Sequence, residues 1–219
     1  MIRGSSDAAD FVLRQTALGH PALVPEIALR LASDALPLWH ATEEVLSAEG
    51  LPPPYWAFAW PGGQALARHI LDHPETVAGK RVLDVGAGSG IAAIAAAKAG
   101  AARTTAIEID PFAIAALRIN SGENAVAIEI LEVDPIGRSD LAADIVLIGD
   151  LCYERPMADR LVPWLKQLAG AGTLVLLGDP GRAYLPKAGL VEVARHLVPT
   201  SRELEDREIR ETVIWRLAG

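Results

Sequence analysis

Only one cysteine, Cys152, occurs in 219 residues. An internal disulfide is therefore impossible, a cysteine-built metal cage is excluded, and a reducing compartment is expected. No apolar run approaches the ~18 residues a membrane-spanning helix needs. Lys and Arg nowhere cluster beyond a dipeptide, and the formal net charge is −8. A nucleic-acid substrate is thereby disfavoured, because phosphate neutralisation needs a basic patch. The first ten residues hold two aspartates and no apolar block. No secretory or transit segment is read there, so a bacterial cytoplasm is expected, or a mitochondrial matrix if the source is eukaryotic. His20, His40, His69, His73 and His196 show no ligand spacing, and no metal is expected.

What is present is an apolar fraction of 51%, enough for a substantial core, arranged as alternating strands and helices. Strands are read at Arg81–Val85, Thr104–Ile109, Ala127–Glu132, Asp144–Ile148, Thr173–Leu177, Leu190–Leu197 and Thr212–Leu217. Helices are read at Gln64–Asp72, Ile91–Ala99, from the Asp110-Pro111 cap pair to Gly122, and at Pro156–Leu168. The pattern predicts an α/β, Rossmann-like, doubly wound seven-stranded sheet with its last strand antiparallel. Residues 1–60 are read as an N-terminal helical and aromatic cap on the same single domain, with helix over 10–48 and an extended aromatic segment over 51–60. Residues 61–219 form the core.

The motif that carries chemistry is Val82 to Gly90, an apolar strand running into Asp84-x-Gly86-x-Gly88-x-Gly90, with a helix starting at Ile91. Glycines let backbone approach a ligand and adopt positive φ. The following helix N-terminus offers free N–H groups and partial positive charge to a carboxylate. Glu108, at the end of the second strand, suits ribose hydroxyls, and Asp84 suits the loop amides or a ligand amine. A dinucleotide site would place Gly or Ala at position 91, but Ile91 stands there. The spacing resembles the S-adenosylmethionine loop of class I methyltransferases, so the core is read as binding S-adenosylmethionine.

Ligands of such sheets sit beyond the carboxyl ends of the strands, which puts Gly149 to Glu154 over the transferable methyl. Asp150 followed three residues on by Tyr153 suits an aliphatic ammonium, with the carboxylate orienting nitrogen and the phenol packing on the methylene stem. Asp150 reads alternatively as a cap for the next helix, and Trp56 and Trp60 as core anchors. Arg182, after the fifth strand, either meets the substrate or pairs with the neighbourhood of Asp150. The stretch Ser201 to Glu211 emerges above the site if the sixth strand runs parallel.

Asp150-Leu151-Cys152-Tyr153 resembles the D-x-x-Y motif of seven-strand lysine methyltransferases. Trp56 to Leu66 resembles one branch, the electron transfer flavoprotein β-subunit lysine methyltransferases. The resemblance extends through Pro25-Glu26-Ile27, Asp134-Pro135-Ile136-Gly137, Gly178 to Arg182 and Thr212 to Leu217. It implies that Asp134 meets the adenine amino group, that Trp60 packs near the cofactor, and that Asp150 and Tyr153 hold the lysine. It also implies a protein substrate, the flavoprotein β subunit. N-methylation of a small amine or pyridine, and a silent cofactor-binding scaffold, are the alternatives.

Overall fold

The computed structural model describes residues 5–32, 53–138 and 140–219. Helix α1 (Ser5–Gln15) is followed by a two-stranded antiparallel ribbon, β1 (Ala17–Gly19) and β2 (Leu29–Leu31), in which Ala17 faces Leu31. Continuous helix from Asp10 is therefore not what forms, since Pro21 and Pro25 lie in the turn between two strands. The rest of the expected helical stretch, over 33–52, lies outside the described residues. Tyr55–Ala57 is a 3-10 turn rather than extended chain, with Trp56 and Ala57 buried.

The core alternates as expected: α2 (Pro61–Asp72), β3 (Arg81–Val85), α3 (Ile91–Lys98), β4 (Arg103–Ile107), α4 (Pro111–Glu123), β5 (Glu129–Leu131), β6 (Ile145–Gly149), α5 (Arg155–Gly170), β7 (Leu174–Asp179), β8 (Leu190–Pro199), α6 (Arg202–Glu205) and β9 (Ile209–Leu217). The seven-stranded sheet has the order β5-β4-β3-β6-β7-β9-β8. β3, β4, β5, β6 and β7 pair in parallel, and the last strand, β9, is antiparallel to both β7 and β8. β8 therefore runs with the parallel set, and the β8–β9 connection emerges at the carboxyl edge.

The apolar central strands are buried on both faces. Val82, Ile145, Leu147 and Leu176 pack with Leu66, Ile70, Ile94 and Ala95 of α2 and α3. Leu83, Val85, Val146, Ile148, Val175 and Leu177 pack with Leu161, Trp164 and Leu165 of α5. The alternation along each strand puts Asp84 on the α2/α3 face.

Two features position the site. Strand order reverses between β3 and β6, opening a crevice at their carboxyl ends. Helix α2 enters against that edge: a Cβ on Gly62 would collide with the Gly178 carbonyl and the Asp150 carboxylate, and one on Gly149 would press on Gly63. On the opposite side, Ala8 and Val12 of α1 pack with Trp56, Phe58 and Phe112. Asn120 of α4 links this cap to the glycine loop. Its amide donates to Ser89 O at 2.8 Å, while its carbonyl oxygen accepts from Arg30 N at 2.7 Å.

Candidate active site

One cavity of about 520 Å³ lies over the crevice. Its walls contain every residue singled out from the sequence: Trp60, Asp84, Gly86, Gly88, Glu108, Asp134, Asp150 and Tyr153 line it directly, and Gly90 caps the helix at its floor.

The glycine loop has its shape for steric reasons. Gly86, Gly88 and Gly90 have φ of 64°, 53° and 82°, values that L side chains adopt at a cost. Gly90 is the N-cap of α3, and a Cβ there would run into Leu117. Asp84 Oδ2 accepts from the Ala93 amide at 3.0 Å, so this buried carboxyl meets the first turn of α3. Burial pushes its pKa up to about 7, against the Ala93 hydrogen bond. Glu108 gathers the opposite rim: Gly88 N donates to Oε2 at 2.9 Å, and Ile109 N and Asp110 N donate to Oε1 at 2.7 and 3.1 Å. Asp110 caps α4 by accepting from Phe112 N. Burial pushes the Asp110 pKa up to about 6.

Asp134 sits at the far wall. Its Oδ1 accepts from Ile136 N at 3.0 Å and its Oδ2 pairs with Arg160 at 2.5 Å. The Arg160 hydrogen bond holds its pKa below the ordinary carboxylate value. An adenine amino group would therefore meet a charged acceptor already shared with Arg160.

At the other end, Asp150 adopts positive φ, 56°. It does not cap α5, whose N-cap is Glu154 with no side-chain bond. Its Oδ2 accepts from Gly62 N at 2.5 Å. Its Oδ1 accepts from Arg182 Nε and Nη2 at 3.0 and 2.8 Å. Burial pushes its pKa up to about 6, opposed by Arg182. The ion-pair reading of Arg182 thus holds, and the carboxylate is shared with the protein before any amine arrives. Tyr153 stands at the mouth with its ring edge on Tyr55, centroids 5.5 Å apart. Burial pushes its phenol up to about 12, so it is neutral and serves as an apolar, hydrogen-bonding wall.

The two tryptophans divide their roles. Trp56 is an anchor of the cap cluster as well as cavity wall. Trp60 is partly exposed, donates from Nε1 to Tyr55 O at 2.7 Å, and carries the Arg182 guanidinium 5.7 Å from its ring centroid. Cys152 is 1% exposed, and burial pushes its thiol up to about 12. A thiolate nucleophile is excluded there.

Two contributors escaped the sequence reading. The Gly62 amide fixes one oxygen of Asp150, and Pro61-Gly62-Gly63 gave only a turn signal. Glu205 of α6, with a side chain 2% exposed, pairs with Arg182 from behind. Its only signal was its place in the Arg- and Glu-rich stretch after β8. Among the described residues, no group of three or more His, Cys, Asp or Glu is arranged to hold a metal ion. No described helix is long and apolar enough to cross a membrane.

Relatives in sequence follow the same motifs. The electron transfer flavoprotein beta subunit lysine methyltransferase of Danio rerio is 37% identical over 217 residues, covering 96% of this chain and 83% of its own length. That of Xenopus laevis is 38% identical, covering 94% and 85%, and that of Homo sapiens 36% identical, covering 89% and 75%. The chain belongs to the electron transfer flavoprotein β-subunit lysine methyltransferase family. Within it, residues 66–153 also match the family described as ribosomal protein L11 methyltransferase (PrmA). Solved structures share the fold at low identity. Magnesium protoporphyrin IX methyltransferase from Synechocystis PCC 6803 with bound SAM superposes with TM-score 0.54 at 18% identity, over 72% of this chain and 80% of that one. Precorrin-6y C5,15-methyltransferase from Geobacter metallireducens GS-15 gives 0.52 at 21%, over 71% and 89%. These likenesses speak for the fold alone. As a member of this lysine methyltransferase family, the chain is an enzyme, and its cavity is where transfer takes place.

Proposed function

We propose that this enzyme is an S-adenosylmethionine-dependent protein-lysine N-methyltransferase whose substrate is the electron transfer flavoprotein β subunit. The observation that carries the reading is one continuous cavity joining two unlike ends. A glycine loop with Glu108 and Asp134 forms one end, and Asp150 with Tyr153 the other.

The residues present fit the cofactor. The amides at the start of α3 offer donors to a carboxylate. Asp84 and Glu108 each keep lone pairs beyond their backbone bonds, the first beside the place for an ammonium, the second for ribose hydroxyls. Ile109, Val133, Pro135 and Ile136 give adenine an apolar slot beside Asp134. When bound, the sulfonium supplies a methyl group to the amine, with C–N forming as the C–S electron pair stays on sulfur and the product proton passes to water.

The chain's own residues do the rest. Asp150 draws the lysine amine to a fixed point and orients it, and alignment of the reacting atoms lowers the barrier. Trp60, Tyr153 and Tyr55 line the approach and exclude water from the methylene stem. The rim supports a lysine presented by a protein, since Tyr55 and Tyr153 are 41% and 38% exposed. A free lysine is charged at neutral pH, with only about one molecule in two thousand carrying the lone pair that reacts.

The test is incubation of purified enzyme with methyl-labelled S-adenosylmethionine and the flavoprotein β subunit, followed by peptide mapping. Label on lysine side chains of that subunit is expected. Label confined to small amines in a lysate would instead support the small-molecule reading, and no label at all would remove the proposal.

A further inference from the structure

The arrangement around Asp150 raises a problem for amine methylation. An isolated buried carboxylate beside a lysine favours the ammonium, which has no lone pair to give. Here the carboxylate is not isolated. Arg182 reaches Asp150 Oδ1 through two nitrogens, at 3.0 and 2.8 Å, while its guanidinium also lies over the Trp60 ring at the cavity wall. Behind it, Glu205 pairs with the same guanidinium, and Arg210 Nε lies 3.3 Å from Glu205. The Arg182 and Glu205 side chains are 17% and 2% exposed, so solvent screens them little. Burial works against the charge on Arg182, but Asp150 and Glu205 outweigh it and hold the guanidinium protonated.

On the reading that a lysine is the acceptor, we propose that Arg182, held by Glu205, is a positioning residue that keeps Asp150 from fixing the acceptor amine as an ammonium. The fixed positive charge cancels most of the carboxylate's field at the amine, yet leaves Asp150 free lone pairs with which to orient N–H bonds. The amine thus loses its proton at a lower pH than beside an unpaired carboxylate.

The other charges around Asp150 do not substitute for Arg182. Asp179, at the end of β7, turns its Oδ1 to the Gly181 and Arg182 amides. Arg210, on β9, faces Glu205 rather than Asp150. The neighbouring groups Tyr153 and Cys152 have pKa values pushed up to about 12 and stay neutral. Glu108 and Arg160 line the cavity further along and are engaged by loop amides and by Asp134.

The experiment compares wild type, Arg182→Gln, Arg182→Lys and Glu205→Gln by the pH dependence of kcat/KM on the flavoprotein β subunit. A parallel carbon-13 titration follows the Asp150 carboxyl in the cofactor-free proteins. Arg182→Gln should move the acid limb up by about one pH unit or more, a tenfold rate loss on that limb, with activity recovering at alkaline pH. Arg182→Lys should retain most of the wild-type profile. Glu205→Gln frees Arg182 to pair with Asp150 alone, so its limb should move downward. The Asp150 titration should follow the same two directions.

A uniform loss at all pH values, or limbs moving in one direction in both charge variants, would overturn the proposal. If Arg182→Gln does not fold, Glu205→Gln decides alone: a downward limb supports the idea and an unmoved one ends it. Should the wild type methylate no lysine, the functional reading fails by itself, while the Asp150 titrations still test the electrostatic claim.

Discussion

The two ends of the cavity are built in opposite ways. The glycine-loop end is local: Asp84 to Ala93 is one strand, turn and helix, and Glu108 closes it from the adjacent strand onto the Gly88 amide. The acceptor end is assembled from distant pieces. Asp150 from the β6–α5 loop, Gly62 from α2, Arg182 beyond β7 and Glu205 from α6 meet around one carboxylate. Backbone donors dominate the first, and side-chain charges dominate the second. A substitution at the local end should therefore change binding and backbone strain. One at the assembled end should change the chemical step.

The sharpest way to break that comparison is Asp150→Ala. It should lower kcat by about 100-fold or more while leaving the cofactor dissociation constant within about threefold by calorimetry. Comparable losses in both quantities would show that the ends are not separable. Next comes Gly90→Ala, which adds a left-handed non-glycine residue and a clash with Leu117. It should cost about 1–3 kcal/mol in denaturant unfolding and weaken cofactor binding. Adding Leu117→Ala should not recover the binding, because the backbone strain remains.

Glu108→Ala should weaken the cofactor by about 10-fold with kcat at saturation nearly unchanged. An unaltered dissociation constant would count against the ribose assignment. The smallest effect concerns Asp84. A carboxyl whose pKa is raised on folding binds its proton more tightly in the folded state. Its contribution is full below the unfolded value near 4 and is lost as pH rises through about 7. Thermal melts of wild type should therefore fall relative to Asp84→Asn between pH 5 and 8. Parallel curves would reject the assigned shift.

Legibility in the sequence follows the same division. Strand Arg81–Val85 was read to the residue, and the Asp110-Pro111 cap opened α4 as expected, because continuous apolar runs and cap chemistry are local signals. The ribbon at 17–31 was missed: its pairing Ala17 to Leu31 joins residues whose apolar spacing also suits a helix. Similarly, the prolines at 52–54 suggested extended chain. Burial of Trp56 against Ala8 and Phe112 instead tightens Tyr55–Ala57 into a 3-10 turn.

What the sequence alone determined was the alternating sheet, the ligand loop, and a lysine-type acceptor motif of one family, since each is written within about thirty consecutive residues. Only the tertiary structure decided that β9 inserts between β7 and β8 and turns the β8–β9 connection toward the cavity. That insertion brings Glu205 behind Arg182, and Arg182 onto Asp150. The physical reason is that ion pairing depends on distance through space. Residues 32 and 23 positions apart along the chain carry no local trace of the partner that folding gives them.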